Sequence, residues 1–246
     1  MIINFHEHPN KWVEENMREN KIDKSVLLSV GVDAVECAHK MAKESPSKYI
    51  PFFWIEMEDI SISVQELEKT VKEFNFKGVK FQPLTQHFFP DERKMYPVYE
   101  KCVELNIPIT FHTGIVALGY KIELGRPFIN KYGDTIFGID RVAYDFPNLK
   151  IVIAHMGGNF FYKALVTAEK HENIFMDTAF LPFFCKRMLP EITPLQMIKK
   201  AIQIIGAKRI LYGYEGFPPS VIIESDIKEE DKEAILSENA KRVLHL

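Results

Sequence analysis

Cysteine is scarce in this chain, and no stretch of it stays apolar for long; each shortage removes a class of protein. The three cysteines, Cys37, Cys102 and Cys185, are odd in number and far apart. They fit reduced thiols in a cytoplasm better than a disulfide framework. No apolar run approaches the roughly 20 residues that a membrane helix needs. A surplus of one charge is missing too, since 31 Lys and Arg stand against 34 Asp and Glu. Nothing therefore points to nucleic acid or to a membrane surface as a partner. No charged and then apolar leader precedes the first strand-like run, Ile2-Ile3-Asn4-Phe5, so a secretory signal is not expected and a cytoplasmic protein is. Repeats, low-complexity tracts and linkers are also lacking, and the expectation is one domain over residues 1–246.

What remains is an ordinary globular composition. The chain has 246 residues, 46% of them hydrophobic and 26% charged, a normal size for one α/β barrel with a large core. Short runs rich in Val, Ile, Leu and Phe alternate with longer amphipathic stretches. Eight such runs read as buried parallel strands: 2–6, 25–30, 50–55, 78–82, 109–112, 150–154, 174–177 and 209–212. Helices are expected over 35–43, 64–74, 96–105, 160–171, 194–205 and 230–243. Val98, Cys102 and Leu105 recur at helical spacing, as do Ile198, Ile202 and Ile205. Asn106 and Gly206 stand where helices should stop. Eight strands with right-handed crossovers imply a closed (β/α)8 TIM barrel. An open doubly wound sheet is the alternative, but its glycine-rich first turn is replaced here by His6-Glu7-His8-Pro9. Residues 114–136 and 179–193 make long connections on the face where such barrels keep their pockets. Barrels often pair through their helices, so a homodimer is open.

His6 and His8 are two apart at the end of the first strand, a spacing that turns both rings to one face. Two imidazoles there can grip one cation, although two unrelated surface histidines would look the same. The rest of the chain strengthens the pair. Of only eight histidines, His112 and His155 also fall at predicted strand ends, each beside glycine (Gly114; Gly157-Gly158). Catalytic residues of this fold collect at those ends. Glu215 follows the eighth strand, where a carboxylate could ligate a metal, serve as a base, or simply be a solvated loop residue. Asp177, at the end of the seventh strand, could orient a neighbour or cap a turn. Phe180, Phe183 and Phe184 suit the apolar wall of a substrate pocket, or core packing. His39, His171 and His245 fall on predicted helices and should face solvent.

These segments also carry a resemblance. FHEHP at 5–9, GVKFQP at 78–83, PITFHTG at 108–114, FPNLKIVIAHMGG at 146–158, FMDTA at 175–179 and ILYGYEGFP at 210–218 resemble, in order, the metal-dependent barrels of amidohydrolase family 2. The resemblance implies one divalent ion, zinc by expectation, with His6 and His8 as its first ligands and His112 as the third. It makes His155 the catalytic histidine beside the metal. The family's strand-eight aspartate is replaced by Glu215, with one residue added before the aromatic, so Glu215 stands as fourth ligand or general base of altered geometry. Lys80 sits where some barrel hydrolases carry a metal-bridging lysine; a buried or substrate-facing role fits a one-metal site better. Arg126 could hold a substrate carboxylate, or be a surface arginine. The implied activity is hydrolysis of a small-molecule amide, ester or lactone by metal-activated water. The alternatives are non-oxidative decarboxylation of an aromatic or enol acid, and a catalytically weak barrel that has kept its histidines.

Overall fold

A computed structural model of the chain describes residues 1–116 and 129–246. Eight strands form one sheet in sequence order: β1 (Ile3–Glu7), β2 (Lys24–Leu28), β3 (Tyr49–Trp54), β4 (Val79–Phe81), β5 (Ile109–Phe111), β6 (Ile151–Ile153), β7 (Ile174–Asp177) and β8 (Ile210–Leu211). Every neighbouring pair is parallel. The Phe5 N–H donates to the Tyr212 carbonyl at 2.7 Å, which draws the two edges together into a nearly closed barrel. All eight expected strands are present. Their ends move by a residue or two, because hydrophobic pattern fixes an element better than its boundary.

Alternation along the strands makes two cores. One face, with Val79, Phe81, Ile109, Phe111 and Ile153, packs against the helices. The other, with Ile3, Phe5, Val26, Phe52 and Val152, fills the barrel. The closing helix runs through Glu229–Glu233, a π turn at Ala234–Glu238 and Asn239–Leu244. Ala240, Val243 and Leu244 join the inner cluster, and Asn239 donates to the carbonyls of Ala207 and Ile210, at the start of β8. This helix therefore covers the N-terminal ends of the strands, opposite the predicted site.

The outer helices are α1 (Val13–Glu19), α2 (Val32–Glu44), α3 (Ile60–Phe74), α4 (Tyr96–Glu104), α5 (Ile136–Asp145), α6 (Phe161–Lys170) and α7 (Pro194–Ile205). Local chemistry sets several of their ends. Asp59 caps α3 through the Ile62 N–H, and Thr193 with Gln196 forms a capping box on α7. Asn75 and Asn106 turn left-handed just past α3 and α4. Pattern reading misses α1 and α5. The first has only seven residues and no side-chain cap; the second does repeat Ile136, Ile139 and Val142 at helical spacing, but it carries Gly138 in its first turn and has no side-chain cap. His171 also departs from expectation: its side chain is largely buried and Nε2 pairs with Asp140 at 2.7 Å. His39 is half-buried, with its ring against Phe74 and Phe76. His245 is exposed as expected.

Gly78 opens the way into β4, and a Cβ there would lie 2.4 Å from the Phe52 ring inside the barrel. Gly78→Ala is expected to destabilise the fold by about 1–3 kcal/mol, a fall in Tm of several degrees by thermal denaturation. An unchanged Tm would mean that the Phe52 ring has room to yield.

Among the described residues no helix is long and apolar enough to cross a membrane. The three cysteines are unpaired.

Candidate functional site

Four histidines and two carboxylates converge at the C-terminal ends of the strands. β1 brings in His6, and the chain just beyond it His8; the loops after β5 and β6 bring His112 and His155; Asp177 ends β7, and Glu215 follows β8. The hydrogen bonds decide which way each imidazole presents itself. A backbone carbonyl can only accept, so His8 Nδ1–H donates to the Leu28 carbonyl at 2.9 Å, and His155 Nδ1–H to that of Ala179 at 3.0 Å. His6 Nδ1–H donates to Asp177 Oδ2 at 2.8 Å. In neutral His155 the second nitrogen must accept, so His112 Nδ1–H donates to His155 Nε2 at 3.1 Å. The outcome is uniform: His6, His8 and His112 each keep the lone pair of Nε2 free. In His6 and His112 that nitrogen is buried without any partner.

Glu215 closes the arrangement. Its Oε2 lies 3.6 Å from His6 Nε2 and 3.7 Å from His155 Nδ1, and its Oε1 lies 3.8 Å from His8 Nε2. Its side chain remains 31% exposed at the mouth, yet Oε2 itself is sealed in and unpartnered. Glu215 sits on a sharp turn, with φ 25° at Glu215 and 81° at Gly216. Asn4 anchors that turn across the barrel seam, since its Oδ1 accepts from the N–H groups of both His6 and Tyr214. The polar Asn4 inside an apolar run was the one sequence signal of this link. The Leu28 and Ala179 carbonyls had none.

Donor atoms of His6, His8 and Glu215 all lie within 4.8 Å of one another. His112 stands beside that group rather than in it. A second group, His6, His155 and Asp177, is equally close, but its members are already bonded to each other or to the backbone. Asp177 does both things that its position allowed. One oxygen orients His6, while the other accepts from the N–H groups of His155 and Ala179. Lys80 is buried on β4 and its ammonium has no partner. Phe180 is half-buried beside His155, with ring centroids 6.1 Å apart. Arg126 lies outside the described residues.

Electrostatics prepares these groups for a cation. Burial holds the pKa of His6, His112 and His155 well below the ordinary histidine value, and the Lys80 charge pushes the same way. His8 is lowered to about 4, again first by burial. All four imidazoles are therefore neutral at pH 7, as metal ligation requires. Burial raises Glu215, and the Asp177 charge adds to that; Lys80 is lowered by burial against the pull of both acids. A divalent ion would reverse the effect on Glu215 by stabilising its carboxylate. Unpartnered buried nitrogens, a sealed carboxylate oxygen and neutral imidazoles are the donor set that a divalent metal fits.

The Asp177 contact is testable. In Asp177→Asn the remaining oxygen can keep the backbone N–H groups, but the amide turns a donor towards His6 Nδ1 and favours the wrong tautomer. Metal affinity is expected to fall about 10- to 100-fold by chelator competition. An unaltered affinity would show that this carboxylate does not orient His6.

Comparison with known proteins places the chain in a family. The amidohydrolase family profile matches residues 30–246. The chain belongs to the amidohydrolase family. The match begins after β1, so His112, His155 and Glu215 lie within the amidohydrolase segment while His6 and His8 precede it. Two relatives stand out. One is a 2-keto-4-carboxy-3-hexenedioate hydratase of a Sphingobium species, 27% identical over 75% of this chain and 61% of its own length. The other is the 2-amino-3-carboxymuconate-6-semialdehyde decarboxylase of Dictyostelium discoideum, 24% identical over 97% of this chain and 77% of its own. The chain thus spans only about three-fifths of the hydratase. Among solved structures, the 5-carboxyvanillate decarboxylase of Novosphingobium aromaticivorans, complexed with manganese, superposes with a TM-score of 0.71 at 17% identity, over 96% of this chain and 80% of that one. That likeness is one of fold.

Proposed function

We propose that this amidohydrolase-family chain is a metal-dependent lyase acting on a conjugated carboxylic acid. The observation that carries the reading is the convergence of the His6 and His8 Nε2 lone pairs with the Glu215 carboxylate, beside the buried His155. Two further facts favour a lyase over the ester, lactone or amide hydrolase expected from sequence. The two sequence relatives named above are a hydratase and a decarboxylase, names that denote addition or loss of water and loss of CO2 rather than acyl cleavage. The buried Lys80 adds a positive charge to the site, which suits an anionic substrate.

His6, His8 and Glu215 would hold a single divalent ion, zinc or manganese, with His112 Nε2 as a further donor. Such an ion supplies a Lewis acid that draws charge from a carboxylate or carbonyl oxygen. The chain's own residues do the rest. Asp177 and the Leu28 carbonyl fix the tautomers of His6 and His8. We assign to His155 the proton given to, or taken from, the carbon beside the reacting carboxylate; its Nε2 would leave the His112 contact to take part. Loss of CO2 and addition of water both need that proton transfer at carbon.

The test is a substrate panel on the manganese- or zinc-loaded protein. Conjugated carboxylic acids should release CO2, or exchange a carbon-bound proton with D2O. Cleavage of an ester, lactone or amide, with neither CO2 nor deuterium at carbon, would overturn the lyase reading in favour of hydrolysis.

A further inference from the structure

Three phenylalanines crowd the turn after β7, and they are not equivalent. Phe184 is buried, and its ring fills the space over Gly114 and Gly158. Core packing accounts for it. Phe180 is different. It is only half-buried, and its backbone is left-handed, φ 58° and ψ 14°, a conformation that a bulky residue rarely adopts. A short helix, Leu181–Cys185, starts at the next residue, so glycine would serve the backbone better at 180. Strain of this kind persists where the surrounding structure fixes it, often at ligand-binding positions.

The surroundings do fix it. The Phe180 ring lies parallel to Phe183, with centroids 4.7 Å apart and planes 14° from each other. The Arg187 guanidinium sits 3.5 Å over the Phe183 ring and also donates to the Phe183 carbonyl. Phe184 meets both rings edge-on. The result is a braced stack in which the half-buried Phe180 ring stands 6.1 Å from the His155 ring, beside the buried Phe184 at 5.8 Å. Among the described residues no other aromatic ring stacks parallel to Phe180.

We infer that Phe180 is a platform on which the planar, conjugated part of the substrate lies while its carboxylate reaches the cluster of His6, His8 and Glu215. This makes Phe180 a specificity-determining residue for sp2 over sp3 acids. The inference rests on the carboxylate reading of the site given above. A flat π-system gains from an offset stack on such a ring, and a puckered one of equal size does not.

Benzoate and cyclohexanecarboxylate share a carboxylate and a carbon count but differ in planarity. Their affinities for the manganese-loaded full chain, measured by calorimetry, test the platform without turnover. Wild type should bind benzoate on the order of three- to ten-fold more tightly. Phe180→Tyr should keep that preference. Phe180→Gly should lose it without a fall in Tm, because glycine relaxes the left-handed backbone. Equal, measurable binding of the two acids by wild type, or a preference that survives in Phe180→Gly, overturns the platform alone. Failure of metal-loaded wild type to bind either acid overturns the carboxylate reading and the platform with it.

Discussion

His6→Ala protein is expected to fold but to retain no divalent ion, and to lose turnover by about 10³-fold or more. The effect should be the largest of any single replacement, because His6 has two duties. Its Nε2 is a buried, unpartnered donor, and its Nδ1 ties the cluster to Asp177 on the far strand. Lewis-acid stabilisation is worth several kcal/mol, and each 1.4 kcal/mol is a factor of ten. Elemental analysis of protein purified without chelators reads the first outcome and a turnover assay the second. His171→Ala is the matched control, since that imidazole pairs with Asp140 at 2.7 Å between helices. A His6→Ala protein that holds a full complement of metal would remove the cluster from consideration as a metal site.

For His155 the expected result is the opposite combination: metal kept, turnover lost. Its Nδ1–H is held by the Ala179 carbonyl and its Nε2 by His112, so it offers no free lone pair to an ion. As the proposed acid–base group it would exchange a proton at Nε2, giving up its contact with His112 to do so. Removal of a positioned acid–base group lowers kcat by about 10²- to 10⁴-fold. The replacement should be asparagine rather than alanine, because residue 155 is left-handed at φ 57°, and asparagine tolerates that region. Loss of metal together with activity in His155→Asn would make this histidine a ligand. Unchanged kcat would strip it of a catalytic role.

The barrel is legible in the sequence because short stretches rich in Val, Ile, Leu and Phe recur eight times between longer amphipathic ones. The same runs locate the site, since a histidine at the end of β1, β5 or β6 stands out against its apolar predecessors. Other parts were beyond a linear reading. Asp177 was visible as a strand-end carboxylate, but its bond to His6 spans 171 residues. The tautomers of His8 and His155 depend on main-chain carbonyls, which carry no side-chain signature. The place of Glu215 was open because one added methylene and one added residue can point a carboxylate either way; a turn at φ 25° and the Asn4 anchor resolve it. The identity of the reaction is less legible still, because one barrel hosts many chemistries.

The left-handed residues at the barrel mouth have a bearing on engineering. His155, Met156, Phe180 and Glu215 all hold positive φ without being glycine, a conformation that works against stability at each position. Screens for heat tolerance should therefore select glycine or asparagine at these sites. Such variants would refold readily and look improved by every calorimetric measure. They would also be the ones least able to hold a proton donor, a ring or a carboxylate in place. For this chain, melting temperature and competence are expected to be anticorrelated at the mouth and uncorrelated on the outer helices.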